Sequence, residues 1–239
     1  VPVKKLPYKN IAGVVPCPGG WMVLPGRLHT VTVLVEEPFV LAQLGEVLDW
    51  RPLFDAVALH APIGFFEEPG TPFRPCDQEA RQILGWPRRS AIPPVPSRAA
   101  LRAETPEEAQ RIEPWLTKDD LRRFRWLRQV DAEMAPYHQR KVFSCHPELS
   151  YYMLNTEVPL KTSPFTADGI TERIALVRNR LPGIDDIITG HPPKGAATHH
   201  LVQAAALLWS ARRIAGRVVN RLPLDPDWDE SGMRMELVR

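Results

Sequence analysis

NIAGVVPCPGGWMVLPGRLHTVTVLVEE, residues 10–37, is the stretch whose reading decides the fold. Residues 10–16 form a short apolar run of strand length, and Gly19-Gly20 marks a tight turn after it. Residues 21–27 and 29–37 continue as strands. In the latter, His29, Val31, Val33 and Val35 alternate with Thr30, Thr32 and Leu34, the period-two pattern of a half-buried strand. The three segments make an antiparallel meander. Residues 38–49 have helical spacing, and DAVALH at 55–60 is a fourth strand that ends at Ala61-Pro62.

A long segment, 61–140, follows that strand. Its first half is rich in proline, and the chain as a whole carries 26 prolines in 239 residues. That is about twice the ordinary share of ~5%, and the clusters at 62–96 and 182–193 predict rigid loops. Between Arg74 and Arg102 lie six arginines against two acids, Asp77 and Glu79, an excess of four positive charges. Helices are predicted near 105–113 and 117–135, a fifth strand at 141–146, and helices at 168–181 and 196–221. In the last of these, Ala204, Leu207, Leu208, Ala211 and Ile214 share an apolar face. MRMELV, 233–238, reads as a last short strand.

Composition sets the class. With 44% hydrophobic and 24% charged residues the chain is an ordinary globular one, and its net charge of +2 is too small to argue nucleic-acid binding by itself. The three cysteines, Cys17, Cys76 and Cys145, are odd in number and widely spaced. They fit neither a disulfide framework nor a structural zinc site, and they predict small buried residues in a reducing, cytoplasmic setting. No apolar run is long enough to span a membrane, and VPVKKLPYKN at the start has no apolar signal core. The seven tryptophans are scattered and read as core and loop anchors. Gly19-Gly20 is a turn and not a phosphate loop, because no Lys-Ser/Thr pair follows it.

A set of segments carries a resemblance: AGVVPCPGGW (12–21), ALHAPIGF (58–65), RPCDQEARQILG (74–85), RRSAIPPVPSRAAL (88–101), CHPELSYYMLN (145–155), GITERIALV (169–177), HHLVQAAALLWSARR (199–213) and GMRMELV (232–238). In this order they resemble a bacterial and archaeal domain-of-unknown-function family described as predicted nucleases of the RNase H fold. The resemblance implies an α/β fold: a single RNase H-like domain over 1–239, with a mixed five-stranded sheet flanked by helices. The Pro/Arg-rich insertion after the fourth strand, 61–140, would be a lid within it.

The resemblance also implies carboxylates at five positions, an adjacent pair counted as one, where two metal ions about 3.5–4 Å apart would bracket a phosphodiester. This chain departs at four of them. Val15 stands for an Asp on the first strand and His60 for one at the end of the fourth. His199 and His200 stand for an adjacent acidic pair, and Gln203 for a further Asp; only Glu148 is retained. Two-metal chemistry with Mg²⁺ or Mn²⁺ needs several hard oxygen ligands, so classical nuclease activity is not expected.

Alternative readings stay open at this point. In one, the chain is a pseudoenzyme whose resident cofactor is gone and which binds a nucleotide, a nucleic acid or a protein assembly. In another, His60, Glu148 and His199 hold a transition metal such as Zn²⁺, since imidazole suits zinc and not magnesium, with Glu148 as ligand or general base. In a third, the pocket is vestigial and the chain is a structural subunit. His146, His200 and Gln203 would support the site. His200 is turned about 100° from the face that His199 and Gln203 share. Arg74, Asp77 and Arg81 recur on one helix face. Either the arginines clamp an anion or they form an internal ion-pair network that fixes the insertion to the core. Arg88, Arg89 and Arg98 extend the basic stretch and read as solvated.

Overall fold

The computed structural model describes residues 7–239; residues 1–6, most of the segment read for a leader, lie outside the described residues. In chain order the first elements are β1 (Lys9–Cys17), β2 (Gly20–His29), β3 (Thr32–Val35), β4 (Phe39–Leu41), α1 (Leu44–Leu48) and β5 (Ala56–Leu59). Then come α2 (Pro75–Arg88), α3 (Arg98–Leu101), α4 (Pro106–Ile112), α5 (Lys118–Glu133), β6 (Val142–Ser144) and α6 (Pro147–Leu154). The chain ends with α7 (Ala167–Arg178), α8 (Ile184–Thr189), α9 (Thr198–Ala215), β7 (Arg221–Leu222) and β8 (Leu237–Val238). Two compact units divide these elements. One holds residues up to Leu59 together with Thr162–Val219, and the other holds His60–Lys161 together with Asn220–Arg239.

The first unit carries a mixed sheet, and the fold is α/β. β1 is antiparallel to β2 over its whole length and parallel to β5, and β2 pairs antiparallel with both β3 and β4. The parallel β1–β5 pair brings Val14 opposite Leu59, so the strand that ends just before His60 neighbours the first strand. The centre of β1 is buried on both faces: Ile11, Ala12, Val14 and Val15 have no exposed surface. Burying each of the Ile and Val side chains is worth roughly 1.5–3 kcal/mol.

Helix α9 covers one face of this sheet, packing on β1, β2 and β5, and α7 and α8 pack on α9. The approach to β1 is close. A Cβ at Gly13 would lie 2.2 Å from the Ala204 carbonyl oxygen and 2.5 Å from the Leu208 nitrogen. Ala204, Leu207, Leu208 and Ala211 are fully buried and Ile214 nearly so, as the apolar periodicity predicts. By the alternation of strand side chains, Ile11, Gly13 and Val15 face α9, and Asn10, Ala12 and Val14 face away.

Two local expectations are corrected. Residues 38–49 form not one helix but the edge strand β4 and the one-turn helix α1. Pairing with β2 draws Phe39–Leu41 into the sheet, and α1 begins where Glu46 accepts a hydrogen bond from the Gln43 N–H at 2.8 Å. The third strand also begins later than residue 29. Thr30 takes φ 52°, which turns the β2–β3 hairpin and leaves Val31 on the surface.

The second unit holds the Pro/Arg-rich segment together with 141–161 and the C-terminal residues. A core of Cys76, Ala80, Leu84, Ile92, Leu149, Leu222 and Leu237 joins α2, α6 and the β7–β8 pair. Helix starts here follow capping chemistry: Pro75 opens α2, and Thr117 and Asp120 form a reciprocal capping box at α5. α2 is interrupted at Gly85, which takes φ 57°, and at Trp86. All three cysteines are free thiols and buried. No helix among the described residues is long and apolar enough to cross a membrane.

Candidate functional site

In the second unit, Glu148 stands in the first turn of α6 and is buried. The turn is built by His146, the N-cap. Its Nδ1 accepts a hydrogen bond from the Glu148 N–H at 3.2 Å, and its Nε2 lies 3.0 Å from the Ala91 carbonyl oxygen. Since Nδ1 accepts, the ring proton sits on Nε2 and is donated to Ala91. Both nitrogens are thus committed within the fold. Burial pushes the His146 pKa down to about 4, against smaller opposing effects from the Ala91 bond and the Asp77 carboxylate, so the ring is neutral at pH 7. The His60 ring meets His146 edge-on, with centroids 4.7 Å apart. His60, His146 and Glu148 are therefore gathered in this unit.

Arg74 and Asp77 lie at the start of α2 and are almost fully buried. The pair is bidentate: Arg74 Nε donates to one Asp77 carboxylate oxygen at 2.8 Å and its terminal nitrogen to the other at 2.9 Å. The remaining terminal nitrogen donates to the carbonyls of Ile63 and Gly64 at 2.8 and 3.1 Å. Asp77 also accepts from the Arg74 N–H. Burial, the largest single effect, would lower the Arg74 pKa, but the Asp77 carboxylate, together with Cys76 and Asp229, raises it overall. The pair ties α2 to the segment that follows β5 and uses most of the Arg74 donors. Arg81 donates to the carbonyls of Arg89 and Ile92 at 2.9 and 2.7 Å and stacks over Phe73, which holds the turn after α2 in place.

The expectation that Arg98 is solvated is overturned. It is 4% exposed and donates to Asp131 at 2.6 Å, to Asp229 at 2.7 Å and to the Phe65 carbonyl at 3.2 Å. Asp229 in turn accepts from the Phe65, Ser231 and Met233 N–H groups. Sequence reasoning missed this cluster because its acids lie far from Arg98 in the chain. The only local signal was an arginine directly after the N-cap Ser97. Arg89, in contrast, is exposed, and its guanidinium lies 5.8 Å from the ring centroid of Trp86. Trp86 is 80% exposed, so it anchors no core.

In the first unit, Val15 is fully buried on β1, opposite Met22 of β2. His199, His200 and Gln203 lie at the start of α9. His200 is buried and turns back on its own helix end, where Nδ1 accepts from the Ala197 N–H at 3.0 Å. Burial, with His199 beside it, pushes the His200 pKa down to about 4. His199 is half-buried against Phe165, and burial lowers its pKa as well. Gln203 is also half-buried.

Among the described residues no group of three or more His, Cys, Asp or Glu side chains is placed to hold a metal ion. Val15 offers no ligand atom. No curated protein and no solved structure matches the chain. A family model, described as "Protein of unknown function (DUF429)", matches residues 13–227. That span takes in every candidate residue from Val15 to Gln203, and the chain belongs to this family.

Proposed function

We propose that this chain is a catalytically degenerate member of its family, one that binds a nucleotide or nucleic acid without cutting it. The observation that carries the reading is Val15. An apolar side chain with no exposed surface fills the position where an RNase H-like site would need its innermost carboxylate. Two-metal hydrolysis depends on that ligand set, and a phosphodiester is otherwise stable. The binding surface in this reading is the exposed Trp86 with Arg89 beside it, in a stretch from Ala80 to Arg98 that contains no acid. An exposed indole stacks an unpaired base, and arginine meets the phosphate.

The test is twofold. Labelled single-stranded DNA and RNA are expected to stay intact with Mg²⁺ or Mn²⁺. They are expected to bind with an affinity that falls as salt rises and drops roughly tenfold in Trp86→Ala, within the range for loss of one stacked base. Turnover that is abolished by Glu148→Gln would overturn the degenerate reading. Val15→Asp adds an independent measure. An unpartnered buried carboxylate is expected to destabilise the fold by on the order of 3–5 kcal/mol at neutral pH, and less at pH 5, where it can be protonated. Recovery of its melting temperature on adding Mg²⁺ would reveal a working metal site.

A further inference from the structure

On the first unit's sheet, the face turned away from α9 holds a groove that the proposal above does not use. Its volume is about 470 Å³, within the range of small-molecule sites. The alternation of β1 and β2 sets its floor: Asn10 and Arg27 are paired across the two strands and point to the same side. Four aromatic side chains, Tyr8, Phe39, Trp50 and Phe54, line it from different segments. Phe39 of β4 and Trp50, just after α1, stack with centroids 4.5 Å apart and planes 24° from parallel.

The charges are of one dominant sign. Among the described residues, Arg27, Glu36 and Glu37 line the groove, an excess of one negative charge. Arg27 is bound to Glu36 at 2.6 Å, and its guanidinium lies 5.4 Å from the Tyr8 ring centroid. A cation is thus already held here between a carboxylate and an aromatic ring. Such a lining repels phosphates and carboxylates. It attracts a positive, weakly hydrated group, because aromatic faces carry negative potential and a carboxylate supplies the counter-charge.

We infer that this groove binds an organic cation bearing an alkylated ammonium head, with Trp50 and Phe39 as the aromatic wall and Glu37 as the counter-charge. The head group can belong to a free small molecule such as choline or to a methylated lysine on a peptide. Both present the same chemistry, and they differ in what lies outside the groove. The inference is independent of nucleic-acid binding, which involves other residues in the other unit.

The experiment is a ligand-observed NMR titration of the full chain with choline, with dimethylbutanol (its neutral carbon isostere) and with adenosine monophosphate. A peptide carrying trimethyllysine and its unmodified counterpart form the second arm. Choline or the trimethyllysine peptide is expected to bind, the neutral isostere at least roughly tenfold more weakly, and the nucleotide not to compete. Glu37→Gln, a change at an exposed side chain, is expected to weaken binding several-fold while leaving the melting temperature unchanged. Trp50→Leu keeps an apolar side chain but removes the ring, and is expected to abolish most of the binding. The tighter of the two cationic probes identifies the source of the head group. Equal binding of the isostere, no binding of either cationic probe, or displacement by the nucleotide would overturn the inference.

Discussion

The decisive chemistry at the scale of single residues is what burial does to ionisable groups. Arg74 and Asp77 neutralise each other inside the second unit, and removing one leaves the other charged and dry. Arg74→Ala is therefore expected to lower stability by about 3–5 kcal/mol, whereas Arg81→Ala, which loses bonds to two carbonyls near the surface, is expected to cost about 1–3 kcal/mol. Denaturant unfolding of both variants checks the order. His146 behaves in the opposite sense. Its folded pKa of about 4 lies below the ordinary 6.5, so the unfolded chain takes up the proton first. Its contribution is fully present above pH 6.5 and is lost as pH falls from there towards 4. The whole interval corresponds to roughly 3 kcal/mol, and His200 adds a slope of the same sign. His146→Asn keeps a capping acceptor for the Glu148 N–H and removes the titration. Its unfolding free energy is expected to depend less on pH between 6.5 and 4 than that of the parent chain, in urea titrations at several pH values.

Elements show where the sequence spoke clearly and where it did not. α5 and α9 were legible because each repeats an apolar face over several turns, and β1 and β5 because short apolar runs end at turn residues. β4 was not. FVLAQLGEVL places apolar residues at spacings that suit a helix, and only pairing with β2 makes Phe39–Leu41 a strand. Tertiary contact overrides local pattern at such edges. The α9–β1 contact has a sharper signature in Gly13. Any side chain there meets the Ala204 and Leu208 backbone and not a flexible tip. Gly13→Ala is expected to push α9 from the sheet and cost about 1–3 kcal/mol. Gly85→Ala, where nothing lies within 4 Å but the backbone at φ 57° and ψ −174° lies in a region open essentially to glycine alone, is expected to cost about 1–3 kcal/mol through strain. Thermal or urea unfolding of the pair separates crowding from backbone strain.

The candidate residues of the whole molecule could be named from sequence, since the family segments run in order along the chain. Their surroundings could not. That His146 spends both nitrogens on capping and on Ala91, or that Arg98 is enclosed by Asp131 and Asp229, depends on contacts between distant segments. The groove is the extreme case: its rings come from residues 8, 39, 50 and 54, none of which forms a motif with another. Patterns report what repeats along a chain, and a site assembled from single residues on separate segments leaves no repeat.

The closeness of Gly13 to Ala204 also bears on how the protein is made. The two residues are 191 positions apart. A ribosome adding about 5–20 residues per second delivers α9 roughly 10–40 s after β1 has emerged. Throughout that interval the nascent sheet has one greasy side with nothing to lie against, while the segment from His60 to Lys161 is being threaded out and can begin to collapse on its own core. The newborn chain thus most needs a chaperone during that interval, and the emergence of α9 is what ends the need.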